Sequence, residues 1–283
     1  MTTKQGAAIR DILVILDRGD EQRSAKIAAD LARQAGAHLT GLAVALEPFI
    51  PTYTIAAAVP ADFLATAREQ SYTDAKEALA RFDTIGQQAG VAVESRLGES
   101  VSGDGFAAVV RNAILADVAV VGQHNPDKPE PLREALIEAL LFQAGVPTLI
   151  APYAGSEDFD TDVAVVAWNG SPAAGRSVRA AMPLLSMAKE VVVVIVDEGR
   201  PIAGEPGADI GAYLARHDLA VTVRTIDNYP GGSGEAILSF AADARASWLV
   251  MGGYGHSRLR EFLLGGATRH ILANATLPVL MSH

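Results

Sequence analysis

Along this chain, short apolar runs alternate with stretches whose apolar residues recur every three or four positions. DILVILD (residues 11–17) and DVAVVAWN (residues 162–169) are two such runs. Neither has a helical period, so each predicts a strand buried on both faces. A helical stripe follows each run. The first is Ile27, Ala28, Leu31, Ala32 and Ala35, closed by Gly36 as C-cap; the second is Val178, Ala181, Met182 and Leu185, where Pro183 is expected to kink or break the helix. Second strands are predicted at 38–46 and 191–196, and third strands at 91–96 and 220–226. Phe106, Val109, Val110 and Ala113 then match Ile237, Phe240, Ala241 and Ala244 as helix stripes. Finally ADVAVVG (116–122) matches ASWLVMG (246–252), and VPTLIAP (146–152) matches LPVLMSH (277–283).

One unit is thus written twice. Its offset falls from 151 (11 to 162) to 130 (122 to 252), so the first copy carries some twenty extra residues. They are expected around 47–73, where Pro48, Pro51 and Pro60 precede a long helical pattern running through Ile85. Alternating strands and helices, five strands to a copy, predict an α/β protein of two doubly wound parallel-sheet domains with right-handed crossovers. The division is expected at 1–154 and 155–283, with 153–161 as linker.

Composition narrows the function classes. Of 283 residues 49% are hydrophobic and 20% charged, which suits a packed core and excludes a disordered chain. The net charge of −10 disfavours nucleic-acid binding, because such proteins neutralise phosphates with basic patches. No Cys means no disulfide, thiolate nucleophile or cysteine zinc site. The six His show neither HxH nor HExxH spacing, so no metal site is expected. Apolar runs are far shorter than the roughly 18 residues that span a bilayer, and residues 1–20 lack a signal-peptide core; a cytoplasmic protein without membrane contact is expected.

The richest chemistry lies in MGGYGHSRLREFLLGGATRHIL, residues 251–272. Gly252, Gly253 and Gly255 follow a predicted strand, at the carboxyl edge where open α/β sheets bind ligands. Nine residues separate Gly255 from Gly265, and Gly265, Gly266, Ala267 and Thr268 lead into a predicted helix over 268–274. Unobstructed N–H groups at such a helix start suit a phosphate, as does the Thr268 hydroxyl. His256, Arg258 and Arg260 add local positive charge. Glycines also serve turns without any ligand, so the pattern alone leaves both readings open.

With these residues the sequence resembles the universal stress protein family in its tandem form. Gly252, Gly255 and Gly265 fall on that family's spacing of glycine, two residues, glycine, nine residues, glycine, although Gly266 stands where the family has Ser or Thr. The resemblance implies strand order 3-2-1-4-5 in each half and the last strands, 146–152 and 277–283, paired edge to edge as an intrachain pseudo-dimer, with a further homodimer open. It implies ATP or another adenine nucleotide at the gap between the first and fourth strands. Ala167 would lie beneath the nucleoside and Asn169, in place of the family's Asp, near the ribose. Val196 would meet adenine through its backbone, Met251 would pack on the base, and Gly252, Gly255, Gly265, Gly266, Ala267 and Thr268 would wrap the phosphates. Asn169 removes a carboxylate, so Mg²⁺ would be held through the phosphates.

In the first half Asp17 keeps the family's acid, but Asn125 and Ala135 replace later glycines, and Asp127, Glu130 and Glu134 add negative charge that opposes a triphosphate. That half is expected to have lost ATP. The protein is expected to bind a nucleotide in a regulatory stress-response role rather than turn it over, being at most a slow ATPase. An ATP-consuming enzyme and a nucleotide-free interaction module are the alternatives.

Overall fold

The computed structural model describes residues 8–19, 21–46, 61–100, 106–128, 130, 132–197, 207–227, 229–253 and 266–283. The first five strands are β1 (Asp11–Ile15), β2 (His38–Leu46), β3 (Val93–Ser100), β4 (Val118–Gly122) and β5 (Thr148–Ala151). Five more follow: β6 (Val163–Ala167), β7 (Glu190–Asp197), β8 (Val221–Asp227), β9 (Trp248–Gly252) and β10 (Val279–Ser282). Between them run α1 (Arg23–Ala35), α2 (Ala61–Ala89), α3 (Ala107–Ala113), α4 (Arg133–Glu138, prolonged as a π-helix over Ala139–Ala144), α5 (Pro172–Leu185), α6 (Ala208–Arg216), α7 (Gly232–Asp243) and α8 (Gly266–Asn274).

The strands form one continuous sheet in the order β3-β2-β1-β4-β5-β10-β9-β6-β7-β8. Each group of five reads 3-2-1-4-5, and its internal pairings are parallel. The joint is the antiparallel pair β5 and β10, which aligns Leu149 with Leu280. The step from 149 to 280 is 131, the same as from 146 to 277, so each strand meets its own repeat mate. The expected pairing of the last strands is present, but it welds the two groups into a single sheet rather than leaving two sheets. Pro147 and Pro278, lacking an N–H, suit the start of a strand on an edge. Both instead sit one residue before a central strand, where their carbonyls accept from Ala119 and Leu249 N–H and no ladder donor is lost.

Alternation along each strand feeds two cores, one on each face. Ile12 and Val14 of β1 join α1, α2, α5 and α6 side chains such as Leu31, Phe82, Leu184 and Leu214. Leu13 and Ile15 join α3, α4, α7 and α8 through Val109, Leu136, Ile237 and Ile271. α2 has 29 residues against 9 in its counterpart α6, a difference of 20 that accounts for the longer first copy, although residues 47–60 lie outside the described set. α5 continues through Pro183 to Leu185. The expected break does not occur, because Pro183 lies two residues from the helix end and forfeits one bond there.

The segment after β5 is tied down. Arg23 Nη1 donates to Gly155 O at 3.0 Å, Lys26 pairs with Glu157, Asp30 accepts from Phe159 N at 3.1 Å, and Gln34 Nε2 donates to Phe159 O at 2.7 Å. The Phe159 ring is buried in the core shared with α1. Residues 153–161 are therefore a strap laid along α1 rather than a free tether.

On α4, partial desolvation followed by the Glu134 charge raises the carboxyl of the exposed Glu138 above its ordinary value. An acid with a raised folded pKa costs stability once both states are ionised, and costs nothing below the unfolded value near 4.5. Glu138→Gln is expected to raise Tm slightly at pH 7, and the gain should vanish as pH falls through that value; thermal melts at the two pH values check it.

Candidate functional site

The strand order reverses at two points of the carboxyl edge, where β1 pairs with β4 and where β6 pairs with β9, and a cavity is present at the first. The second holds most of the residues singled out above. Ala167 ends β6, Val196 and Met251 are the penultimate residues of β7 and β9, and all three belong to the same face of the sheet, packed with the α7 and α8 side. Ala167 and Val196 are half-buried and Met251 is buried. Asn169 is exposed, and its Oδ1 accepts from Ser171 N at 3.1 Å. Ser171 in turn caps α5, its Oγ accepting from Ala174 N at 3.2 Å, with Pro172 in the first turn.

Gly252 is required by that cap. A Cβ there would lie 2.6 Å from Ala174 N and 2.8 Å from the Ala173 carbonyl carbon, so only glycine lets β9 end against the start of α5. α8 begins at Gly266, two residues before the predicted start. Gly266 is exposed and a Cβ there would meet nothing within 4 Å among the described residues, Ala267 is half-buried, and Thr268 is buried in the first turn. Gly255, His256, Arg258, Arg260 and Gly265 lie outside the described residues. The described part shows the ends of β6, β7 and β9 on the face of the sheet that α7 and α8 cover.

The first crevice is built on charge. Asp17 Oδ2 accepts from Ser24 Oγ at 2.7 Å and Ser24 N at 3.1 Å, so the strand-end acid caps α1. Its Oδ1 pairs with Arg133 Nη2 at 3.1 Å, and Arg133 also binds Glu130 at 2.6 Å. Lys128 hydrogen-bonds Glu21 and holds that carboxyl below its ordinary value. The expected surplus of negative charge is corrected here: Asp17, Glu21 and Glu130 line the cavity with Arg23, Lys128 and Arg133. Asp127 and Glu134 are exposed outside it. Sequence reading missed Arg133. The one signal was an arginine opening an apolar helix, REALIEAL, directly after a proline-rich stretch.

Gln123 bridges the two groups of strands. Its side chain accepts from Tyr153 N at 3.0 Å and donates to Leu272 O of α8 at 2.8 Å.

Comparison with known proteins divides along the repeat. Residues 161–283 match the model of the Universal stress protein family. A stretch of 50 residues, 18% of this chain, is 38% identical to a universal stress protein of Synechocystis sp.; the chain spans only 17% of that relative's length. Over nearly the whole chain the fold is similar to that of a universal stress protein from Archaeoglobus fulgidus DSM 4304, with a TM-score of 0.69 at 16% identity, covering 96% of this chain and 97% of the other. A functionally unknown protein from Pseudomonas aeruginosa PAO1 is similar at a TM-score of 0.54 and 15% identity, covering 97% and 92%. Among the described residues, no helix is long and apolar enough to cross a membrane. The chain thus carries a tandem architecture like that of universal stress proteins, with the family's sequence pattern matched in residues 161–283.

Proposed function

We propose that the crevice between β6 and β9 binds an adenine nucleotide, ATP or a relative of it, and that the protein works as a regulator by holding that nucleotide. The observation carrying this reading is the coincidence of the family match over 161–283 with the glycines at 252, 255 and 265 in the segment that joins β9 to α8. Ala167, Val196 and Met251 would face the nucleoside, and Asn169 the ribose. The first N–H groups of α8 at Gly266 and Ala267, with Thr268, would meet the phosphates beside Gly255 and Gly265. His256 and Arg258 would add positive charge. Any Mg²⁺ would arrive on the phosphates, since Asn169 offers an amide whose oxygen already serves Ser171. On the same reading residues 1–154 and 155–283 are two domains of common design, of which the second keeps the nucleotide and turns it over slowly at most.

Gly266→Asp tests the site without disturbing the fold. A Cβ at 266 meets nothing within 4 Å among the described residues, and an acid in the first turn of a helix is favourable. The variant is expected to keep or slightly raise the Tm of the free protein while losing roughly tenfold or more in ATP affinity, because the carboxylate repels phosphate. Isothermal titration with ATP measures it, and native mass spectrometry of the purified protein shows whether a nucleotide is carried. Equal ATP affinity in both proteins would remove Gly266 from the site.

A further inference from the structure

The cavity between β1 and β4 has a volume of about 90 Å³ and is lined by Asp17, Gln22, Gly122, Lys128, Arg133 and Tyr153, among others. Two of these side chains are almost completely buried yet incompletely bonded. Arg133 is 3% exposed; its Nη2 serves Asp17 and Glu130, and its Nη1 donor has no partner among the described residues. Gln22 is 1% exposed; its Nε2 donates to the carbonyls of Asp17 and Gly19, and its Oε1 acceptor has no partner among the described residues. Buried groups of this kind are normally satisfied, and those that are not call for an explanation such as a bound molecule. Gly122 keeps the space beside the guanidinium open: a Cβ there would stand 3.5 Å from Nη1 and 2.6 Å from Asp17 Oδ1.

We infer that this crevice binds a small oxyanion that carries a hydroxyl group, such as hydrogen phosphate or a short hydroxycarboxylate. An anionic oxygen accepts a hydrogen bond from Arg133 Nη1, the geometry for which guanidinium is suited, and the ligand O–H donates to Gln22 Oε1. Size agrees. A cavity of roughly 150 Å³ holds benzene, and one water needs only about 10–15 Å³, so the space here fits an ion of a few heavy atoms. Glu130 is the resident competitor, since its partly exposed carboxylate already occupies Nη2. The inference does not depend on what the β6/β9 crevice binds.

The test is a titration of the full chain followed by ¹⁵N-resolved NMR, with inorganic phosphate, sulfate and lactate each added at constant ionic strength. Saturable shifts of the Gly122 N–H, the Arg133 Nε–H and the Gln22 side-chain amide, with one shared Kd, are expected with phosphate or lactate. Saturation by only one of them identifies the source of the oxyanion. Sulfate, which matches phosphate in shape but lacks the O–H, should bind more weakly, and Gln22→Met should erase that preference. Glu130→Gln, at a partly exposed position that leaves the fold intact, should tighten phosphate roughly fivefold. Arg133→Lys should weaken it. Shifts that rise linearly to tens of millimolar, or a Kd indifferent to Glu130→Gln, overturn the inference.

Discussion

Asp17→Ala is expected to lower the free energy of unfolding by about 3 kcal/mol. Asn169→Ala, at the matching position two residues beyond the first strand of its own group, should stay within roughly 0.5 kcal/mol. The two side chains occupy equivalent places and do different things. Asp17 caps α1 through both Ser24 donors and pairs with the buried Arg133 guanidinium. Its removal strips the cap, worth about 1 kcal/mol, and leaves a buried cation with Glu130 alone. Asn169 is exposed and accepts one bond within its own turn. Urea denaturation of both variants checks the contrast, and equal losses would show that the charge cluster is not what stabilises the first crevice. Asp17→Asn should fall between, since an amide oxygen can still accept from Ser24.

Gly155→Ala is the other substitution with a large expected cost, about 3 kcal/mol or more. Gly155 has φ +98°, a region that L side chains rarely adopt, and an added Cβ would overlap the Thr276 carbonyl oxygen just ahead of β10. The obstacle is backbone, which cannot swing aside as a flexible side chain could. Relief would mean lifting the strap from α1, with loss of the Arg23 bond to Gly155 O and strain on the Phe159 anchor. Gly266→Ala is the natural control. It has open space among the described residues and lies in α8, where Ala is the better helix former, so stability should hold or rise by up to about 1 kcal/mol. Thermal or chemical melts of the pair decide; similar stability for both would mean that the strap yields at no cost.

The central strands were legible because burial on both faces forces unbroken apolar runs such as Ile12 to Leu16 and Val191 to Val196, which little else in the chain resembles. β3 was legible only roughly. Predicted at 91–96, it lies at Val93–Ser100, because an outermost strand pairs on one side and its VESRLGES sequence is mostly exposed. The strap was taken for a plain linker, since its polar residues reveal their purpose only beside Arg23, Lys26 and Asp30 of α1. The glycines of the second crevice could be read because their spacing is local. Arg133 could not: an arginine at a helix start ordinarily points to water, and its burial depends on Asp17, which is distant in sequence and adjacent only once β1 and β4 pair.

The Leu149–Leu280 joint bears on how the two crevices came to differ. In an assembly of identical separate subunits, any substitution appears at every copy at once. Here the paired copies share one chain, so a change at Arg133 or Gly122 leaves Gly252 and Gly266 untouched. Each crevice can therefore drift on its own, one toward charge pairs and the other toward bare backbone, while the pairing between the halves stays at one to one at any dilution.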